Sequence, residues 1–307
     1  QDTFAGRIKR IKKNLIYVCC LTAMILLGLV IRTGLEIQRG WLLLDFGKNK
    51  ITGKQVDAFW QEADEETKQF IKDIKIYQKL GKKSIQSELE KNSRVLVYRV
   101  YGNMEHLQGD RLVCGTFVQS EDRKGCVIGK KLAQSLFHTE NAEGEILKMG
   151  KQSLYVRGVL KREKNVCLIR GEKEQVYRYL WVHYEEMAGE EVKEKLETAM
   201  AGSATIKWEG DLYAILGNVI CAMLWGSAWS MLLIKCKKTY SGKLENGIRK
   251  DAVDILWTIF LIGGLLLIIG LEIKPTDDYL PNEWSDFAFW SRLFAEKSAE
   301  LISQVFR

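Results

Sequence analysis

Residues that could do chemistry are few in this chain and poorly spaced for it. His106, His138 and His183 stand alone, each without a second ligand residue at helical or zinc-site spacing. Cys114, Cys126 and Cys167 fall in one stretch, none in C-x-x-C spacing, and three thiols allow at most one bridge among themselves. Cys114 and Cys126 sit in or beside apolar, strand-like runs, where cysteine acts as a small buried hydrophobe more than as a nucleophile. The acidic cluster Glu62, Asp64, Glu65 and Glu66 lacks the Asp-x-Asn-x-Asp-Gly pattern of a calcium loop and reads as a solvated helix face. No G-x-x-x-x-G-K-S/T phosphate loop, G-x-S-x-G elbow or H-E-x-x-H pair occurs. The expected role is therefore not enzymatic, with no metal and no cofactor held by this chain.

What must position any function is set by charge segregation. Of 307 residues, 28% are charged and 47% hydrophobic, ordinary globular values, yet three runs carry no charge at all. They are 14–31, 212–234 and 255–271, of 18, 23 and 17 residues. At about 1.5 Å per residue each approaches the ~30 Å of a hydrocarbon layer. A soluble protein is excluded. The expected architecture is a membrane protein with three transmembrane helices and a mixed α/β extracytoplasmic domain, 32–211, between the first and second. With no ionisable residue inside the spans, a proton or ion relay through them lacks its carriers.

Lysine and arginine near the span ends give the orientation. Residues 1–13 hold five, and the loop 235–254 holds six. The tail 272–307 holds four, diluted by seven acids. The N-terminus and the loop are thus expected in the cytoplasm, the large domain and the tail outside, in a multi-pass protein of the cell membrane. The first run follows a basic leader but shows no small-x-small cleavage site, so it reads as an uncleaved anchor. Phe4, Ile8 and Ile11 among the basic residues suggest an interfacial amphipathic segment. The net charge of +7 follows from topology. No basic face interleaved with aromatics points to nucleic acid.

Within 32–211, the spacing of Phe59, Trp60, Phe70, Ile74 and Tyr77 predicts one helix over 56–80. Strands are expected at 94–101 and 125–129, the latter leading into a helix at 130–138. A hairpin is expected at 145–149 and 152–161 about Gly150-Lys151, then a strand at 165–170, a helix over 174–199 and a strand at 204–208. In the second span Ala222, Gly226 and Ser230 recur every four residues, with Cys221 and Ser227 alongside, and such a small-residue face lets helices pack closely in lipid. Trp225 and Trp229 would then point partly toward lipid or the partner. Gly263, Gly264 and Gly270 in the third span are read equally well as packing sites or as chance. In the loop, Tyr240, Leu244 and Ile248 lie four apart beside Lys237 and Lys238, as the apolar side of a short helix would.

Two segments of the large domain, Gly125–Phe137 (GCVIGKKLAQSLF) and Gly144–Leu160 (GEILKMGKQSLYVRGVL), follow one another as in the MacB/FtsX-type permease subunits of ABC transporters. They fall within a stretch of some 35 residues, and together with the layout of spans the chain resembles that family. The resemblance implies a MacB-like outer domain, a separate cytoplasmic ABC ATPase that uses ATP, and a second permease subunit, identical or different, in the same bilayer. It makes 235–254 the coupling loop, with Lys237, Lys238, Tyr240, Leu244 and Ile248 touching the ATPase. It implies export or extraction of a peptide or lipid, or transmission of a mechanical signal. It also implies four spans where three are legible; 284–307 reads as an interfacial amphipathic helix built on Phe287, Trp290, Leu293, Phe294, Leu301 and Val305. A chain cut before its fourth span, or a partner supplying helices, accounts for the difference. The rival expectation is a membrane-anchored adaptor or sensor whose outer domain binds an envelope protein or peptide without an ATPase.

Overall fold

A computed structural model describes residues 14–88, 90–105, 111–161, 164–239 and 251–272 in full, 4–13, 240–241 and 248–250 as backbone, and six isolated positions between 288 and 298. The chain divides into two units. The first is helical: α1 (Phe4–Glu36), α6 (Gly210–Ser241) and α7 (Ile248–Glu272). Each is long and apolar enough to cross a membrane. Leu15, Val30, Met223, Ile255, Phe260 and Leu266, among others, are exposed on them. Large apolar side chains left bare in this number are stable only where lipid replaces water. The basic leader from Phe4 onward is continuous with α1. The amphipathic helix expected over 284–307 falls, six positions apart, outside the described residues.

The second unit, 40–209, is a mixed α/β domain. Its strands are β1 (Trp41–Asp45), β2 (Ile51–Thr52), β3 (Ile71–Ser87), β4 (Asn92–Tyr101), β5 (Leu112–Gly115), β6 (Gly125–Gly129), β7 (Ile146–Met149), β8 (Gln152–Leu160), β9 (Val166–Arg170), β10 (Val176–Tyr177), β11 (Tyr179–Tyr184) and β12 (Thr205–Glu209). Four helices accompany them: α2 (Gly53–Glu62), α3 (Glu65–Phe70), α4 (Lys130–Phe137) and α5 (Gly189–Ala199). The main sheet runs β12-β1-β11-β3-β4-β9-β6-β8-β5. Because β7 pairs with both β8 and β3, the run β3-β4-β9-β6-β8-β7 closes into a six-stranded barrel. Its interior is a core of Ile85, Val95, Val97, Cys126, Ile128, Val156 and Cys167, against which α4 lays Leu132, Ala133 and Leu136. On the open wing, Leu42 and Leu44 register with Val182 and Leu180, and these with Ile74 and Ile76. That inner face packs under Val56 and Phe59 of α2 and Val192 and Leu196 of α5.

Two expected helices are corrected. The one over 56–80 stops at Glu62. Ala63 is extended, and Asp64 caps a new short helix by accepting from the Thr67 amide at 2.7 Å. From Ile71 the chain is a 17-residue strand pinned between β4 and β11, bulging where Gly81 takes φ +79. The apolar spacing that suits a helix also suits this strand, and β-branched Ile71, Ile74 and Ile76 favour pairing. The helix over 174–199 begins only at Gly189, because Leu180, Val182 and Tyr184 alternate inward as β11. The strands at 92–101, 125–129 and 166–170, the 130–137 helix and the 146–149/152–160 hairpin lie where the pattern puts them, with Gly150 at φ +61 in the tight turn.

Candidate functional site

Within the helical unit α6 is the middle helix, packing on α1 along one side and α7 along the other. Ala222, Gly226 and Ser230 share one face with Leu265 and Ile269 of α7 beside them. Ala222 and Gly226 are buried. A Cβ on Gly226 would stand 3.1 Å from Leu265 Cδ2, and the Ser230 hydroxyl is satisfied by donating to the Gly226 carbonyl at 2.8 Å. The two tryptophans are half-buried, each turned to a neighbouring helix. Trp225 lies on Gly28 of α1, within reach of the Ile25 carbonyl at 3.4 Å, and Trp229 lies on Gly264 of α7. Each indole fills the notch that a glycine leaves, the close packing that holds helices together in lipid. Gly217 takes Leu35 in the same way, whereas a Cβ added at Gly263 or Gly270 would meet nothing within 4 Å. Cys221 donates its thiol to the Gly28 carbonyl at 3.1 Å.

Charge ties the helix ends. Arg32 of α1 and Glu272 of α7 pair at 3.0 Å, with Glu272 buried, so the two outer helices are joined directly. At the other end of α7, Asp254 pairs with Lys237 of α6 at 3.1 Å. The Lys235 ammonium sits 3.9 Å over the Tyr17 ring of α1. Lys238 is exposed. Tyr240 falls in the last turn of α6 and Ile248 opens α7, while Leu244 lies outside the described residues. The Arg32–Glu272 pair was not legible from sequence: both residues read as flanks of a span, and 240 positions separate them.

In the α/β domain, His183 stacks on Trp41 at 4.4 Å and His138 ends α4 at φ 57 beside the Lys91 ammonium. His106 lies outside the described residues. Among the described residues no three His, Cys, Asp or Glu side chains gather as metal ligands. All seven cysteines are free. Cys126 and Cys167 meet inside the barrel, where their mutual hydrogen bond and burial push the Cys126 thiol well above its ordinary pKa. A protonated, sealed thiol is a poor nucleophile. Within the helical unit the three helices are held by indole-in-notch packing and by ion pairs, and within the α/β domain the barrel is closed.

No family model and no curated protein matches the chain. Among solved structures, the periplasmic region of MacB from Actinobacillus actinomycetemcomitans is similar at 12% identity over 56% of this chain and 90% of that one, with a TM-score of 0.46. The extracellular domain of the noncanonic ABC-type transporter YknZ from Gram-positive bacteria is similar at 14% identity over 54% and 98%, with a TM-score of 0.42.

Proposed function

We propose that the chain is a permease-like transmembrane subunit of an ABC transporter. In this reading its N-terminus and the loop 235–254 lie in the cytoplasm and the α/β domain lies outside. A separate cytoplasmic ATPase closes on ATP and pushes on the loop through Lys237, Lys238, Tyr240, Leu244 and Ile248. The push passes along the spans to the outer domain, which exports or extracts a peptide or lipid, or relays a mechanical signal. The observation that carries the proposal is α6. It is a single helix of 32 residues, roughly 48 Å long, that begins where β12 ends, is wedged against both other spans, and reaches the basic loop. A continuous helix fixed on both flanks moves as a body, which transmission requires. A second permease subunit in the same bilayer completes the assembly.

The test is to purify the tagged chain from its own membranes in mild detergent and identify its companions by mass spectrometry. An ABC ATPase among them is expected. Recovery of the chain alone, or with envelope proteins only, overturns the proposal in favour of an adaptor without an ATPase.

A further inference from the structure

The inner face of β4 reads Val95, Val97, Arg99, Tyr101. Strand alternation puts all four on one side of the sheet, where Val95 and Val97 are barrel core and Tyr101 packs against the wing core. An arginine at such a position breaks the pattern. Arg99 registers with Ile169 on β9, at the end of the barrel where β4 and β9 finish and β8 begins; α4 follows β6 at the opposite end. A cleft of about 380 Å³ opens there. Arg99, Arg170, Arg123 and Lys173 line it, against the carboxylates of Glu172 and Glu174.

Those carboxylates answer the outer cations. Glu172 lies 3.8 Å from Arg123 on the exposed rim, and Glu174 is drawn to Lys54 at 3.9 Å. The inner cations have no such partner. Arg170 donates to the Gly102 carbonyl at 2.5 Å and lies over the Tyr101 ring at 5.6 Å, yet among the described residues no carboxylate pairs with it. Burial pulls its pKa below the ordinary arginine value. No hydrogen bond or ion pair holds the Arg99 guanidinium among the described residues. The surrounding loop is preset: the Gly171 amide donates to the Val100 carbonyl at 2.8 Å, the Tyr177 hydroxyl to the Glu172 carbonyl at 2.8 Å, and the Lys54 amide to the Lys173 carbonyl at 3.1 Å. Tyr101 is fixed by donating to both oxygens of Asp57, at 2.9 and 2.8 Å.

A part-buried cation with no carboxylate partner keeps its charge available to an incoming anion. We propose that the barrel mouth is a binding site for an oxyanion, a phosphate or carboxylate group, held by the guanidinium forks of Arg99 and Arg170 with Lys173 as the outer field. Planar guanidinium donors match the paired oxygens of such groups. The apolar floor of Leu154 and Ile169 accepts a carbon body attached to the anion. The site does not depend on the transport proposal; a sensor would use it equally.

The test is calorimetric titration of the full chain in detergent with inorganic phosphate and, separately, with glutarate, at ionic strength matched in chloride. Saturable binding of one or both is expected, and which one saturates names the oxyanion. Arg99→Gln should weaken it about tenfold or more, Arg170→Gln likewise, and Lys48→Gln, a surface change elsewhere, not at all. Should Arg170→Gln fail to fold, because its guanidinium also holds Gly102, Arg99→Gln decides alone. No saturable binding of either anion, or binding by Arg99→Gln as tight as wild type, overturns the site.

Discussion

Neighbouring glycines in α7 offer a sharp perturbation of the helical unit. An added Cβ at Gly264 would run into the Trp229 indole, with Cζ2 only 2.7 Å away, while at Gly263 it would meet nothing within 4 Å. Both positions share one helix and one change in backbone entropy, so Gly→Ala gains the same propensity at each, up to about 1 kcal/mol. Only position 264 also incurs overpacking. An indole is stiff and its notch is closed by α7 itself, so the cost is about 1–3 kcal/mol. Gly263→Ala should therefore match or slightly exceed wild type, and Gly264→Ala should fall below Gly263→Ala by ~1–3 kcal/mol, several degrees in midpoint for a unit of this size. The assay is thermal unfolding of the full chain in mild detergent. Trp229→Leu in the Gly264→Ala background should recover most of the loss, since the clash leaves with the indole. Equal midpoints for the two alanine variants would refute the indole-in-notch packing of α6 on α7.

Two further outcomes concern the α/β domain. Burial raises the pKa of Asp45, but Arg178 at 2.7 and 2.9 Å, the Gly47 amide at 2.8 Å and Lys207 outweigh it and hold the carboxyl below the usual aspartate range. A depressed folded pKa adds stability above the unfolded value and loses it as pH falls through the folded one. Asp45→Asn should thus cost about 1–2 kcal/mol at pH 7, discounted because Arg178 is nearly half exposed. The gap should close in strong acid, and a pH-independent gap in unfolding midpoint would contradict the ion pair. Cys126 and Cys167 have no exposed surface, so maleimide should leave both unmodified in the native chain at pH 8 and modify both after denaturation. Peptide mapping reads the result, and native labelling of both would show that the barrel is not closed.

How far the fold can be read from the residues depends on whether contacts are local. The three spans are legible because a charge-free run is a one-dimensional signal, and the 125–137 strand–helix unit because Gly125, Gly129 and the Leu132, Ala133, Leu136 stripe punctuate it. The 71–87 strand was not, since its apolar positions fit two periods and the decision is made by β4 and β11, sequence-distant partners. Barrel closure rests on two residue pairs between β3 and β7. Neither residue type nor spacing announces such a joint. Lys75, fully buried beside Asp73 and over Trp41, looks from sequence like one more surface lysine of an amphipathic helix. The site residues divide along the same line. The Ala222–Gly226–Ser230 face follows from helical period alone. The glycine notches that take its tryptophan neighbours belong to other helices, so that period does not reveal them. The cluster at the barrel mouth gathers Arg99, Arg123 and Arg170 from separate elements and has no sequence signature.

The claim that this chain relays the work of a cytoplasmic ATPase meets its most direct test at the loop. Wild type, a Tyr240→Ala/Leu244→Ala/Ile248→Ala variant and a Lys48→Gln control would be captured from the same membranes, and the ABC ATPase recovered per mole of chain measured by quantitative mass spectrometry. The account predicts near-stoichiometric ATPase with wild type and control, and loss of most of it with the loop variant while the chain stays in the membrane. Absence of any ATPase from the wild-type capture, or full retention by the loop variant, would contradict it.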